Sequence, residues 1–455
     1  MIDAVQSPEP RVSVTTTSDE LQARSEVVMP PPYPSVPLKH RVVFGAFRFA
    51  ASVVGLIDRL GGASRRRRGV LIYPPAGPGS VGDEAMISGL AEVMQAAGAG
   101  PVTLLARRGE MAWPLFPAID RYEPEDISPL RALAQLFGQI RRHRHLFVVG
   151  ADCIDGHYAV QNSVRLIVVT DAGARLGAVS TLVGSSYKVG AHKDTMRALT
   201  HAHPRARLCA RDAVSQQRMA EASGRSPKLV ADAAFMVEPT DLPDKLVPLM
   251  QWIDRQHSAG RTILGINFNH QVFPPMTDAA VIRRLFDAYV QMIRSIVGSR
   301  PEVSVLLVPH DYRGAVTDHS HALELQELLK PELGDRLEML EGRRLPGEIS
   351  AVVARIDAVL TGRMHCAILS LNRGVPVACV RYQGKFVGLF QHFGLDGLYL
   401  TPEEASNPVQ LEALVSDLLD RREEIAAKVR SGLPRIREMS RLNLPEDIRS
   451  KLPAV

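Results

Sequence analysis

The chain has 455 residues, of which 45% are hydrophobic, and Lys plus Arg exceed Asp plus Glu by 54 to 49. This length exceeds one ordinary hydrophobic core and predicts two domains with additional tails. The small basic excess is spread along the chain, which favours anionic ligands but excludes the concentrated positive charge of a nucleic-acid-binding protein. Because the four cysteines lack Cys-x-x-Cys spacing, we expect no metal site, no disulfide framework and a cytoplasmic location; they are Cys153, Cys209, Cys366 and Cys379.

The N-terminal region divides into a polar tail and an apolar stretch. Residues 1–40 are acidic, Ser/Thr-rich and then Pro-rich, without a secretion signal, and are predicted to be disordered. Residues 41–68 are predicted to form an amphipathic helix and a basic linker, because charged residues interrupt the apolar run too often for a membrane span. Two interpretations stay open for residues 42–68. The helix packs against the protein body, which we favour, or it rests peripherally on the inner face of an anionic membrane.

Residues 69–240 are predicted to form an N-terminal α/β domain. A Pro/Gly-rich loop at 74–82 follows the first strand and leads into a helix over Asp83–Ala97. A glycine loop before a helix suits an anion or a sugar, because the helix start offers free N–H groups. Asp83 and Glu84 either cap this helix or contact an acceptor sugar. The predicted strands are Val70–Tyr73, Pro101–Leu105, His145–Val149, Leu166–Val169 and Ala178–Val183.

Polar residues follow two strand candidates later in this domain. Ser185, within Gly184-Ser185-Ser186, either offers a hydrogen-bonding group to a cleft or belongs to a plain turn. Arg211 follows the apolar run Ala206–Ala210 and either points into a cleft or forms a structural ion pair with Asp212 or another neighbour. Asp212 itself is predicted to start a helix.

A second α/β unit is predicted after a proline-interrupted linker at 241–261. It covers 262–435 and leaves 436–455 as a charged tail. His310 and Asp311 follow one of its strands and either line a cleft or form hydrogen bonds within a loop. Alternating strands and helices imply parallel sheets with right-handed crossovers, so the predicted fold class is α/β, with two Rossmann-like domains facing a cleft as in GT-B enzymes. The main elements behind this prediction are Thr262–Asn267, Ala279–Val297 and Val303–Val308.

The densest group of reactive side chains follows the apolar run Ile356–Leu360. Arg363 and His365 come directly after it and Lys385 follows further on, where a parallel sheet presents its ligand-binding edge. In an extended segment Arg363 and His365 point the same way, while Met364 turns back into the protein. Arg grips a carboxylate or phosphate through two hydrogen bonds, and His exchanges a proton near neutral pH. The group suits a small, highly charged anion, unless these side chains only cap, pair or fill space.

Four segments, in order along residues 69–400, resemble the polysaccharide pyruvyl transferase family. The first contains the Gly-Asp-Glu that the family places at the start of its first helix, and the last resembles the family's C-terminal hallmark. The region from the first segment to the last spans most of the chain. The segments are Gly79-Ser-Val-Gly-Asp-Glu84, Arg211-Asp-Ala-Val-Ser215, Asp232-Ala-Ala-Phe235 and the stretch from Asp357 to Lys385.

The resemblance implies that a pyruvyl group passes from phosphoenolpyruvate to two hydroxyls of a saccharide or lipid-linked saccharide, giving a cyclic ketal in cell-surface polysaccharide or glycolipid biosynthesis. It implies donor binding by Arg211, Arg363 and Lys385, and catalysis by His365 with Arg363, His365 being the acid that protonates the methylene carbon. No cofactor is implied beyond the donor substrate. The N-terminal domain is expected on the acceptor side and the C-terminal domain on the donor side. The acceptor-binding candidates are Asp83, Glu84, Ser185 and His310.

One departure from the family keeps other functions open. Where the family has a triple-glycine turn, this chain has Gly150-Ala151-Asp152, and a β-carbon or carboxylate there would reshape what binds. The alternatives are a GT-B-type nucleotide-sugar glycosyltransferase, on the same two-domain plan, and a non-catalytic glycan-binding or scaffold member of the family.

Overall fold

The computed structural model describes residues 34–61, 67–107, 118–121, 129–274, 277–381 and 385–453. The side chains of residues 107, 118–121, 129, 130 and 385 lie outside this description. The predicted disordered tail, residues 1–40, falls mostly outside the described ranges.

Two parallel sheets form the centre of the molecule. The strands of the first are β1 (Val70–Tyr73), β2 (Val102–Arg107), β3 (Ala118–Arg121), β4 (His145–Val148), β5 (Val179–Ser185), β6 (Arg207–Ala210) and β7 (Lys228–Leu229). Those of the second are β8 (Thr262–Asn267), β9 (Val303–Leu307), β10 (Leu337–Met339), β11 (Ala358–Thr361), β12 (Val377–Val380) and β13 (Tyr399–Leu400).

The strand orders are β3-β2-β1-β4-β5-β6-β7 and β10-β9-β8-β11-β12-β13, with every pairing parallel. Each contains the order 3-2-1-4-5-6 of a doubly wound Rossmann sheet, whose ligands bind where the order reverses. The predicted α/β class with two Rossmann-like domains is therefore confirmed. The reversal points lie between β1 and β4 in the first sheet and between β8 and β11 in the second.

Helices flank both sheets. In the N-terminal half they are α1 (Leu38–Leu60), α2 (Val81–Ala96), α3 (Pro129–Arg142), α4 (Val160–Arg175), α5 (Lys193–Thr200) and α6 (Ala213–Ser223). Those that follow are α7 (Val247–Ser258), α8 (Ala279–Ser299), α9 (Asp318–Leu333), α10 (Pro346–Val353), α11 (Met364–Leu371), α12 (Lys385–Gln391), α13 (Pro402–Ala405), α14 (Pro408–Asp420), α15 (Arg422–Arg441) and α16 (Glu446–Arg449).

The two domains meet at the carboxyl ends of their central strands. Ser80, after β1, forms an isolated antiparallel bridge with Asp311, after β9. The Tyr312 amide donates to the Gly79 carbonyl at 3.0 Å, and the Val81 amide donates to the His310 carbonyl at 3.2 Å. These backbone contacts fix the two reversal points opposite each other.

Two predictions about local structure are wrong, and each has a physical reason. Leu166–Val169, predicted as a strand, lies inside α4, because a short apolar run has the same appearance in a buried helix. The predicted linker at 241–261 contains α7, in which Pro248 occupies the first turn, where proline favours a helix. The indole N–H of Trp252 in α7 donates to the Asp335 carbonyl at 2.7 Å, which attaches this helix to the second domain.

The predicted tail at 436–455 is also wrong over its described part. The chain returns through α15 to the first domain, where the Ala231 amide donates to the Met439 carbonyl at 3.1 Å. The buried Asn443 side chain accepts from the Gly184 amide at 2.7 Å and donates to the Ala231 carbonyl at 2.9 Å. The charged composition predicted a partly exposed tail, whereas Asn443 is buried against β5 and the segment after β7.

We predict that Asn443→Ala lowers the free energy of unfolding by about 2–4 kcal/mol, because it leaves a buried amide and a buried carbonyl without partners. Denaturant unfolding measures the change. Asn407→Ala is the matched control: this exposed side chain caps α14 through the Val409 amide, so its loss should cost only about 1 kcal/mol. Equal effects of the two variants would contradict the structural role of Asn443.

Candidate functional site

The reversal point of the second sheet supports Arg363 through a chain of hydrogen bonds. Thr361, at the end of β11, donates from its hydroxyl to Asn267 Oδ1, at the end of β8, at 2.9 Å. The same hydroxyl accepts from the Arg363 amide at 2.9 Å. Arg363 keeps an extended backbone, but α11 begins at Met364. The extended geometry predicted for Arg363 through His365 therefore applies only to its first residue.

The Arg363 guanidinium is held by carboxylates. Its Nε and Nη2 donate to both oxygens of the buried Asp318 at 2.9 and 2.6 Å, and Nη1 lies 3.3 Å from Asp311 Oδ2. Nη1 also donates to Gln271 at 2.9 Å. Asp318, in the first turn of α9, accepts in addition from the Asn267 side chain at 2.9 Å. This paired, bidentate geometry fixes the position of the positive charge.

Arg211 occupies the opposite wall of the cleft, directly after β6. It is 3% exposed, and it donates from Nε to Ser186 Oγ at 2.7 Å and from Nη1 to Asp232 Oδ2 at 2.8 Å. Burial lowers the pKa of Arg211, but the carboxylates around it, Asp232 first, raise it further than burial lowers it. The expected structural ion pair is therefore formed with Asp232, whereas Asp212 caps α6 through the Ser215 amide at 2.7 Å.

His365 brings the two domains together at this point. Its Nε2 lies 3.6 Å from Asp232 Oδ2, so one carboxylate faces both Arg211 and His365. Burial raises the pKa of Asp232, yet His365 and Arg211 hold it well below its usual range. The ring lies against Gly82 of the N-terminal domain, where an added β-carbon would come within 2.2 Å of Nδ1. Glycine is required here because the imidazole approaches the backbone so closely.

His310 follows β9 in the C-terminal domain. It is 2% exposed, and among the described residues neither ring nitrogen has a hydrogen-bond partner. Burial, and then the charges of Arg363 and His365, lower the pKa of His310 to about 3. A neutral, unpaired imidazole therefore lies near Arg363 and His365, and its acceptor-binding role stays a prediction.

Asp83 and Glu84 have different surroundings. The helix that contains them begins at Val81 and is capped by Ser80, so neither is the capping residue. Asp83 Oδ2 lies 3.7 Å from Arg313 Nη1, and burial raises the pKa of Asp83. Glu84 accepts from the Gly79 amide at 2.8 Å and pairs with Arg343 of the other domain. Glu84 therefore joins the domains, while Asp83 remains at the cleft.

Ser185 is fully buried and donates to the Val183 carbonyl at 2.6 Å, so it faces inward. Its neighbour Ser186 contacts Arg211 instead. The Ser186 amide donates to the carbonyl of Ala151, which has a φ of 48°, the one positive φ outside glycine among the described residues. The altered turn thus keeps the left-handed backbone of a glycine despite its β-carbon.

The Lys385 side chain lies outside the described residues. The backbone of Lys385 starts α12, and this helix contacts the N-terminal domain: a β-carbon at Gly388 would lie 2.7 Å from that of Asp212. In the described ranges, no group of three or more His, Cys, Asp or Glu side chains could hold a metal ion.

Arg211, Arg363 and His365 lie around this cleft together with acidic partners. Asp318 was not revealed by the sequence patterns, whereas Asp311 and Ser186 belong to strand-end segments already singled out. Asp232 could be found from the sequence, because it is the first residue of the Asp232-Ala-Ala-Phe235 segment that resembles the family.

A family model described as polysaccharide pyruvyl transferase matches residues 81–384, more than half of the chain. The amylovoran biosynthesis protein AmsJ of Erwinia amylovora is 26% identical over 234 residues, which are 49% of this chain and 53% of that protein. The chain therefore spans about half the length of this curated relative.

Solved structures of low sequence identity share the fold. A UDP-N-acetylglucosamine 2-epimerase from Neisseria meningitidis, bound to UDP-GlcNAc, has a TM-score of 0.51 at 11% identity, over 82% of this chain and 98% of that one. Another structure of a UDP-N-acetylglucosamine 2-epimerase gives 0.51 at 13% identity, over 83% and 94%. They show a GT-B-like arrangement of two Rossmann-like domains.

We predict that His310 makes the protein sensitive to acid. An unfolded histidine takes up a proton near pH 6.5, whereas folded His310 does so only near pH 3. Between these values the unfolded state binds the extra proton, so the free energy of unfolding falls as the pH drops. The loss should be about 1.4 kcal/mol per pH unit. His310→Asn should remove this slope in denaturant unfolding at pH 6.5 and 5. Val308→Ala, a nearby destabilising change without a titrating group, should keep it; equal slopes in wild type and His310→Asn would refute the assignment.

Proposed function

Because the chain belongs to the polysaccharide pyruvyl transferase family, we propose that it transfers a pyruvyl group from phosphoenolpyruvate to a saccharide as a cyclic ketal. The family match and the similarity to an amylovoran biosynthesis protein support a role in polysaccharide synthesis. The observation that carries the finer proposal is the contact of the buried Asp232 carboxylate with Arg211 of one domain and His365 of the other.

The donor carries a phosphate and a carboxylate, which require fixed cations. In the described part of the chain, Nη2 of Arg211 donates to no other residue, so this amino group is left for an anion while Nε and Nη1 are held. Arg363 contributes its charge from the donor domain and stays anchored by Asp318. Lys385 is the proposed third cation, at the start of the helix that touches Asp212.

His365 is the proposed acid. Transfer of its proton to the methylene carbon of phosphoenolpyruvate creates a cationic carbon that bears the carboxylate, and the first sugar hydroxyl attacks that carbon. Loss of phosphate then restores a cation, which the second hydroxyl attacks to close the ketal. Of the two hydroxyl protons, one leaves on the phosphate and the other returns His365 to its protonated form. Asp232 orients the ring from 3.6 Å. Asp83, whose pKa burial raises, is placed on the acceptor side to receive a hydroxyl proton.

The proposed reaction takes place on the cytoplasmic side, with a free or lipid-linked saccharide as the acceptor and with peripheral membrane contact through residues 42–68. None of the four cysteines, which all lie in the described ranges, forms a disulfide, and this suits a reducing compartment.

We predict that purified protein releases phosphate from phosphoenolpyruvate only when a suitable saccharide is present. An acceptor panel with phosphate detection, followed by NMR of the product for the ketal methyl group, tests this.

His365→Ala should lower kcat about a hundredfold or more, because the proton donor is lost. Donor binding measured by calorimetry should persist, since Arg211 and Arg363 are retained.

His201→Ala is the matched control, because His201 is exposed at the end of α5 and should leave turnover unchanged. Wild-type turnover in His365→Ala would remove this residue from the chemistry. Absence of any heat on mixing the wild-type protein with phosphoenolpyruvate would refute the donor, and consumption of a sugar nucleotide instead would favour a glycosyltransferase.

A further inference from the structure

Helix α1 presents its apolar side to the solvent. The helix has 23 residues, and its exposed large apolar side chains recur at helical spacing along one stripe. Phe49 is 73% exposed and Leu60 is 81% exposed. An amphipathic helix of a soluble domain normally buries this side, so the stripe requires another apolar environment. We call it the apolar stripe; it consists of Leu38, Val42, Phe49, Val53, Leu56, Ile57 and Leu60.

The opposite side of α1 packs Phe47 and Ala51 into the core of the domain and is further held by charged and polar contacts. Arg48 donates to the fully buried Asp171 at 2.7 Å, and Arg175 of α4 donates to Ser52 Oγ at 3.0 Å. A β-carbon at Gly55 would lie 2.0 Å from the Arg175 carbonyl, so the two helices pack closely. The attachment fixes which side of the helix faces outward.

A second attachment lies near the end of the helix. Asp58, 3% exposed, pairs with Arg67 at 2.8 Å and with Arg141 at 2.7 Å. Asp58 is the one acidic residue in α1 and is directed inward. No carboxylate of α1 is therefore left beside the apolar stripe.

The ends of the apolar stripe are basic. Lys39 is exposed near the start of the helix, and Arg59 and Arg68 are exposed near its end. Arg65 and Arg66 add two positive charges to the same stretch of sequence. Such a distribution, apolar in the middle and cationic at both ends, matches a surface of acyl chains with anionic headgroups.

Two other arrangements fit this charge pattern less well. Among the described residues, α1 is the one helix long and apolar enough to cross a membrane. Crossing would break the pairs of Arg48 and Asp58 and place both charges in hydrocarbon, at a cost of at least several kcal/mol. Pairing with a second copy would bring basic ends against basic ends in either orientation, which is repulsive.

We propose that α1 lies flat on an anionic membrane surface. The apolar stripe enters the boundary between headgroups and acyl chains over a length of about 35 Å. Lys39, Arg59 and Arg68 contact the headgroups at its ends. The attachment of α1 to α4 then holds the enzyme body at the surface, where a lipid-linked acceptor would be presented.

Vesicle flotation tests this surface. The full chain should float with vesicles that contain phosphatidylglycerol, bind phosphatidylcholine vesicles more weakly, and lose affinity as salt rises. Phe49→Asp should reduce partitioning into the anionic vesicles at least about tenfold, because it puts a charge in the apolar stripe. Leu56→Asp is a second variant. Val409→Asp is the matched control: Val409 is 71% exposed on α14, so this variant should float like wild type.

The outcomes separate this proposal from the transfer reaction. Phosphate release with a water-soluble acceptor should be unchanged in Phe49→Asp, whose side chain is remote from the cleft. Failure of the wild-type chain to float, or unchanged flotation of both apolar-stripe variants, would overturn the proposal. Conversion of a wild-type dimer to a monomer by Phe49→Asp, measured by light scattering, would identify the stripe as a contact between copies and would also overturn it.

Discussion

The buried Asp232 carboxylate is the interaction on which the cleft depends. It is 2% exposed, and it contacts Arg211 at 2.8 Å and His365 at 3.6 Å, while its main-chain carbonyl accepts from Ser440 of the returning C-terminal helix at 2.7 Å. A buried charge is tolerated only when it is paired, so the loss of Arg211 would leave this carboxylate without its closest counter-charge. The geometry of the site and the docking of the two domains therefore constrain each other.

Pairing with a carboxylate also fixes the arginines on both sides of the cleft. Arg363 is held by Asp318 and Arg211 by Asp232, so the cations are oriented before a ligand arrives, at the expense of net positive charge. Pre-oriented groups need little reorganisation on binding. His310, unpaired and with its pKa lowered to about 3, adds a polar group without another charge. Recognition of an anionic donor would thus depend more on the positions of these side chains than on the net positive charge of the cleft.

Sequence reasoning succeeded where the signal was local. Thr262–Asn267 and Val70–Tyr73 are bounded as predicted, because buried parallel strands are short apolar runs that polar residues end. It failed for Leu166–Val169, whose run also suits a buried helix, and for the return of the chain at Asn443. The partners of the site residues were missed for the same reason: Asp318 is 45 positions from Arg363, and only tertiary structure joins them.

The altered turn at Ala151 shows how such a site tolerates sequence change. A β-carbon in the left-handed region costs roughly 1 kcal/mol, yet the backbone keeps this conformation, with φ at 48°. The Ala151 carbonyl accepts from the Ser186 amide at 2.8 Å, and Ser186 in turn accepts from Arg211 at 2.7 Å. The Ala151 carbonyl therefore holds the backbone of the residue whose hydroxyl contacts Arg211, although Ala151 carries a β-carbon. The residue after Ala151 is Asp152, and the charge of its carboxylate acts on both Arg211 and Asp83.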